Sequence, residues 1–133
     1  VAAASLASAA PAVSRSGSRD LRVTSSELLL TGPTTPPAAG DHYEFYDRDS
    51  GKDNGHDYFE CVVTNPAGTA LCTADFVLTH GQITIQGVFD VNSSNVHTVA
   101  VITGGTGRYT AAKGTVTAGG TIAKTTFDFH LAP

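Results

Sequence analysis

Three segments of this chain gather residue types that can do chemistry. Val101 to Thr115, VITGGTGRYTAAKGT, runs an apolar strand into a glycine-rich turn followed by a lysine, the ingredients of a phosphate cradle. Asp47, Asp49 and Asp53 in DRDSGKDNGHD alternate as the first ligands of a calcium loop do. Cys61 and Cys72 are the only two cysteines. Spacing tests the first two directly. A P-loop needs GxxxxGK and then Ser or Thr, whereas Lys113-Gly114-Thr115 has Lys and Gly exchanged. A dinucleotide turn needs a helix opening at its last glycine and an acidic residue after a second parallel strand. The segment runs instead into AAKGTVTAGGTIAKTTFDFHL, two further strands, so no helix N-terminus is there to receive phosphate. In the acidic segment Gly51 takes the third ligand position and Tyr58 that of the bidentate Glu, which leaves a polar turn as the expectation. The five histidines show no metal-ligand spacing and no GxSxG marks a nucleophile elbow, so neither a metal nor a cofactor is expected. Asn92-Ser93-Ser94 fits a glycosylation sequon, which has meaning only for export through an endoplasmic reticulum.

The bulk numbers narrow the classes. With 133 residues, 41% hydrophobic and 15% charged, the chain suffices for one domain with its own core. Eight Lys+Arg against 12 Asp+Glu give a net charge of -4, the wrong sign for neutralising a phosphate backbone, so nucleic acid is not an expected partner. No apolar run approaches the roughly 20 residues of a membrane-spanning helix, and no membrane partner is expected. Residues 1–20, VAAASLASAAPAVSRSGSRD, form a small-residue tail set apart from a domain over 21–133. Ala7-Ser8-Ala9 and Ala10-Pro11-Ala12 fit the pattern before a signal-peptide cleavage site, which implies a secreted protein. A disordered Ala/Ser-rich leader is the other reading, with a cytoplasmic protein as its consequence.

After residue 20 the sequence shows short alternating runs broken by turn signals, the mark of an all-β domain. Strands are expected at about 21–30, 41–48, 57–64, 69–79, 82–91, 96–103, 112–118 and 121–131. Cross-strand partners must share a face. A hairpin at His80-Gly81 sets Leu78 opposite Ile83, Phe76 opposite Ile85 and Cys72 opposite Phe89. A loop at Asn65 to Gly68 sets Val63 opposite Ala70 and Cys61 opposite Cys72. A turn at Gly119-Gly120 brings Val116 and Ala118 beside Ala123 and Thr125, leading to Phe127, Phe129 and Leu131. Val99 and Val101 continue the apolar side. One interior results, and closure removes the sheet edges. The expected fold is an eight-stranded antiparallel up-and-down β-barrel with a central apolar cavity.

Parity assigns the interior. Phe59, Cys61, Cys72, Phe76, Phe89 and Phe127 point inward as candidate ligand-binding residues. From Tyr43 and Phe45 the alternation carries Asp47 inward near a mouth, and turns Tyr43 toward the cavity as a phenolic donor. Arg108, Tyr109 and Lys113 fall on a rim turn, where Tyr109 could close the mouth over a ligand. Cys61 and Cys72 stand close enough for a disulfide in an oxidising compartment, and pair as buried thiols otherwise.

GDHYEFYD, GQITIQGVF and VITGGTGRYTAAKGTV together resemble the allene oxide cyclase and dirigent superfamily of β-barrels, over about residues 40–131. Its most specific pieces are the GxIxxQG strand at Gly81 to Gly87 and the glycine-rich turn, which in that family shapes a barrel rim. The resemblance implies a small hydrophobic substrate or ligand whose cyclisation or isomerisation the barrel directs without a cofactor, and a homodimer or homotrimer. Small bacterial barrels of similar architecture act as spiro-forming and Diels–Alder cyclases. It also implies a cavity cysteine at Cys61 and a carboxylate on the first strand, for which Glu27 is the candidate, four residues early. The candidate catalytic residues are therefore Tyr43, Glu27 and Asp47. A non-catalytic secreted dirigent-like or ligand-binding barrel is the second reading and a packed structural barrel the third. Cavity volume separates them, since ligand pockets run to roughly 300–1,000 Å³.

Overall fold

The structure, a computed structural model, describes residues 19–132. The residues read as a tail or signal remnant lie outside the described residues up to position 18, and the first strand already begins at Arg19. Eight strands follow in chain order: β1 Arg19–Thr31, β2 His42–Gly51, β3 Gly55–Val63, β4 Thr69–Leu78, β5 Gly81–Asp90, β6 Asn95–Gly105, β7 Gly114–Thr121 and β8 Lys124–Leu131. Each pairs with the next antiparallel, and β8 returns to β1 to close the barrel. The expected fold class is thus the observed one.

Alternation builds the core. Along β3 and β4 every second residue is buried, from Asp57 and Phe59 to Val63 and from Ala70 to Leu78. Five phenylalanines meet in the lumen. Phe59 lies edge-on to Phe76 and Phe89 at 5.9 and 5.7 Å, while Phe76 contacts Phe127 and Phe129 at 5.0 Å each. Such pairs add about 0.5–1.5 kcal/mol each beyond the burial of their area.

Two hairpins differ in register from the turn-based reading. The β4–β5 turn is Thr79-His80, so Phe76 faces Ile83, Cys72 faces Gly87 and Ala70 faces Phe89. The β7–β8 turn is Ile122-Ala123, so Val116 faces Phe129 and Ala118 faces Phe127, with Gly119 and Gly120 inside the strand. Both slips are even in number, and an even slip keeps every side chain on its face. The inside and outside of β4, β5, β7 and β8 therefore survive the wrong partners. In β6 the face itself was misread. Val99 and Val101 are 62% and 57% exposed, and Ala100 and Ile102 point inward. Ala100 pairs with Val116, whose inward direction fixes the even-numbered residues of β6 as the interior set.

The glycine-rich segment closes one mouth. Gly107, at φ +61°, starts a single 3₁₀ turn, Gly107–Tyr109, whose Arg108 N–H donates to the His80 carbonyl at 2.8 Å. A Cβ on Gly107 would stand 2.6 Å from that carbonyl oxygen, and one on Gly81 2.1 Å from the Thr106 carbonyl. Close backbone approach is what these glycines permit.

Candidate functional site

The two ends of the barrel are built differently. At the end carrying loops 52–54, 79–80 and 106–113, the buried Asp53 carboxylate accepts from the Tyr109 hydroxyl at 2.6 Å and from the Asn54 N–H at 2.8 Å. His80 adds its backbone N–H at 3.3 Å, and its ring Nδ1 lies 3.2 Å away. Burial opposes the ionised form of Asp53, but these hydrogen bonds outweigh it and hold its pKa below the ordinary value. This end is sealed and its polar groups are satisfied.

Toward the other end a pocket of about 50 Å³ remains, walled by Phe45, Phe59, Phe89, Val96, the Cys61–Cys72 disulfide, Thr125 and the side chain of Asp47. A water needs about 10–15 Å³ on this measure, so the pocket has room for roughly three to five water-sized atoms. The expected central cavity is consequently displaced to one mouth, because the phenylalanines fill the middle of the lumen. The disulfide is formed directly across the β3–β4 pair, as the register of the two cysteines requires.

Behind the pocket lies a second acidic group. Asp49 and Asp57 are 2% and 0% exposed, Asp47 7% and Ser25 3%. Alternation places them there: Ser25 follows Leu21 and Val23 on the inner face of β1, Asp47 and Asp49 follow Tyr43 on β2, and Asp57 precedes Phe59 on β3. The ladders align Ser25 with Asp49 and Asp47 with Asp57. The Ser25 hydroxyl lies 2.5 Å from Asp49 Oδ1 and makes a further short contact with Asp57 Oδ2. Asp47 Oδ1, Asp49 Oδ2 and Asp57 Oδ1 have no hydrogen-bond partner. Burial drives all three pKa values upward. For Asp57 the adjacent carboxyls of Asp49 and Asp47 add to burial and push it up to about 11, so it is protonated at neutral pH. For Asp47, contact with Asp57 partly offsets the effect of burial. Among the described residues no group of three or more His, Cys, Asp and Glu is arranged to hold a metal ion.

The sequence-derived residues fall into three places. Asp47, Phe59, Cys61, Cys72 and Phe89 line the pocket together. Phe76 and Phe127 pack against Phe59 deeper in the lumen, and Tyr43 is buried beside the disulfide as the ladder partner of Cys61, none of the three on the pocket wall. Glu27 and Tyr109 lie elsewhere. Glu27 is exposed at the bulge where β1 leaves its register, and Tyr109 belongs to the sealed end, away from any ligand at the pocket. Ser25, Asp49 and Asp57 were missed. Their signal was in the sequence: Asp57 has the parity of the inward Phe59 and Cys61, and Asp49 that of Asp47.

The chain is thus a small closed eight-stranded barrel with an apolar mouth pocket and carboxyls beneath it. No protein-family model matches its sequence, and no curated protein does. Solved structures match its fold. A pyocyanin demethylase superposes with a TM-score of 0.73 at 22% identity, over 86% of this chain and 100% of that one. AbnU, an exo-specific intermolecular Diels-Alderase, superposes with a TM-score of 0.61 at 16% identity, over 84% of this chain and 98% of that one. At such identities the likeness is one of fold.

Proposed function

We propose that the barrel takes the end of a small apolar molecule into the mouth pocket and moves a proton on it through Asp47, directing an isomerisation or cyclisation without a cofactor. The observation that carries this reading is Asp47 itself: a buried carboxyl with an unpartnered oxygen, on a wall made mostly of apolar side chains and a disulfide, with Thr125 and the exposed Asp90 as its other polar members. A carboxyl raised by burial is better matched to taking and returning a proton near neutral pH than an ordinary one. The apolar walls would strip water from the reacting atoms and hold them against Asp47. The names of the two structural neighbours, a demethylase and a Diels-Alderase, support a barrel that works on small molecules. So does the sequence resemblance to allene oxide cyclase and dirigent barrels.

A second reading is a non-catalytic ligand-binding barrel, with the disulfide suited to a secreted protein, while the small pocket volume, well under the roughly 300–1,000 Å³ of ligand pockets, favours the third, a packed structural barrel. Two measurements on the full chain separate the readings. Nile red, an apolar fluorophore, should bind the wild type and lose at least tenfold in affinity in Val96→Trp, which fills the pocket, while Asp47→Asn keeps affinity within about threefold. A β,γ-unsaturated ketone in D₂O should then gain deuterium in the presence of wild type but not of Asp47→Asn. Binding without deuterium uptake would leave the non-catalytic reading standing; no dye binding at all would remove both.

A further inference from the structure

We propose that Ser25 is a proton bridge between Asp49 and Asp57, so that one proton held behind the pocket switches Asp47 between base and acid. The proposal rests on Asp47 as the working carboxyl, and it begins from a hydrogen count. Ser25 Oγ sits within hydrogen-bonding distance of two carboxylate oxygens, Asp49 Oδ1 and Asp57 Oδ2. A hydroxyl carries one hydrogen, so Ser25 donates to only one of them. The other contact is satisfied when that carboxyl is protonated and donates to Oγ. In the resting arrangement Asp57 holds the proton and donates to Ser25, and Ser25 donates to the Asp49 carboxylate, in accord with the high pKa of Asp57.

Both hydrogens can shift in the same direction at once. The Asp57 O–H bond breaks as a bond to Ser25 Oγ forms, and the Ser25 O–H bond breaks as a bond to Asp49 forms. The hydroxyl is regenerated, the proton has moved from Asp57 to Asp49, and the net charge of the group is unchanged. Asp57 is the ladder partner of Asp47, whereas Asp49 stands two residues further along the same strand. With the proton on Asp57, Asp47 faces a neutral neighbour and works as a carboxylate base. With the proton on Asp49, Asp47 faces a second carboxylate, and the repulsion favours its protonated form. A ligand proton taken by Asp47 in the first state is held in the second, then returned at another ligand position when the bridge resets. Protons balance over the cycle and no oxidant enters. The substrate class is accordingly one isomerised by moving a single proton between two nearby atoms, such as an unsaturated carbonyl compound.

The surroundings suit a closed exchange. Asp57 is faced by Asp47 and Asp49 from β2, Ser25 from β1 and Phe76 from β4, and Ser25 by Thr125 from β8. His56 is the basic side chain whose charge acts on Asp49, and among the described residues no lysine or arginine is hydrogen-bonded to any of the three carboxyls.

Carboxyl-carbon NMR of the aspartates, followed against pH in the wild type, Ser25→Ala and Ser25→Thr, tests the bridge without a substrate. In the wild type Asp47, Asp49 and Asp57 should each show inflections at the same two or more pH values. Asp49 and Asp57 also act on each other directly, so Ser25→Ala should keep them coupled but displace the shared inflections of Asp49 and Asp57, and Ser25→Thr should restore the wild-type curve. Identical titrations in Ser25→Ala and wild type, or an Asp49 that titrates alone in the wild type, would overturn the proposal. Should Ser25→Ala fail to fold, the wild type and Ser25→Thr curves still decide, because independent titration in both sinks it. The dye and deuterium measurements report on Asp47 separately, so a failed pocket with intact coupling is distinguishable from a failed bridge.

Discussion

Asp49 and Asp53 lie four residues apart and both are buried, yet the closing loops feed Asp53 with donors while the barrel interior starves Asp49. Asp53 receives hydrogen bonds from Tyr109, Asn54 and His80, and its ionised form is favoured. Asp49 shares a single hydroxyl with Asp57, and the three carboxyls of its group retain unpartnered oxygens. A carboxylate given several donors is a structural latch. Carboxyls crowded together without them are pushed toward their protonated forms, which lowers stability at neutral pH in exchange for proton-transfer capacity. The comparison separates a seal from a candidate site within one chemistry.

The strongest way to break the comparison is through its opposite pH dependences. Asp57 has its pKa raised in the folded chain to about 11, from about 3.9 for an ordinary aspartate. Its contribution to stability is complete below that ordinary value and is lost as pH rises toward the folded one, with a slope of up to about 1.4 kcal/mol per pH unit. Asp47 and Asp49, also raised, act in the same sense. Asp53 has the reverse sign: its contribution is present above the ordinary value and lost as pH falls through its lowered pKa. Urea unfolding should show the wild type losing stability from pH 5 to 8, and Asp57→Asn, which keeps the shape without the proton, should have a clearly shallower slope. A wild type that gains stability over this interval would contradict the protonated state of the buried group.

The barrel was legible in the sequence because period-2 alternation tolerates error. Turns misplaced by one residue at Thr79-His80 and by three at Ile122-Ala123 slip the registers by two and six and still sort the side chains, since only odd slips exchange the faces. In β6 alternating small and branched residues gave both faces an apolar look, and only the pairing of Ala100 with Val116 decides between them. The pocket wall was readable residue by residue as far as Phe59, Cys61, Cys72 and Phe89. Of the acidic group only Asp47 was legible, turned inward by parity, because Asp49 falls beyond a strand expected to end at 48, in the segment that reads as a polar turn. Strand β2 runs on to Gly51, so Asp47 and Asp49 are in the barrel and only Asp53 is in the turn. The pocket's small size was not legible, since volume depends on how five rings interlock.

The sealed end sharpens the comparison with a smaller effect. Tyr109→Phe removes the 2.6 Å hydrogen bond to Asp53 and leaves the ring in place. A bond to a charged group contributes about 1.5–3 kcal/mol, and a destabilisation of that order is expected at pH 7. The difference from wild type should shrink as pH falls through the lowered pKa of Asp53 and the carboxylate takes up its proton. Nile red affinity at the far mouth should stay within twofold, and a larger loss would mean that the two ends are not separate.

The smallest effect belongs to Glu27, and it decides whether the pocket has a carboxylate beyond Asp47 and Asp90. The ladder sets Glu27 opposite Asp47, where facing Cβ atoms stand about 4.5–5.5 Å apart, but Glu27 is exposed at a bulge. At about 5 Å in a water-like dielectric, two unit charges repel by about 0.8 kcal/mol, before salt screens them. Glu27→Gln should therefore lower the Asp47 titration by no more than about 0.6 pH unit at low salt, and by less at 150 mM, with stability changed by under about 0.5 kcal/mol. A drop of more than one unit that persists in salt would mean that the Glu27 side chain folds over the mouth and shares the water-poor surroundings of Asp47. Glu27 would then belong to the site as a working carboxylate, and Asp47 would no longer act there alone.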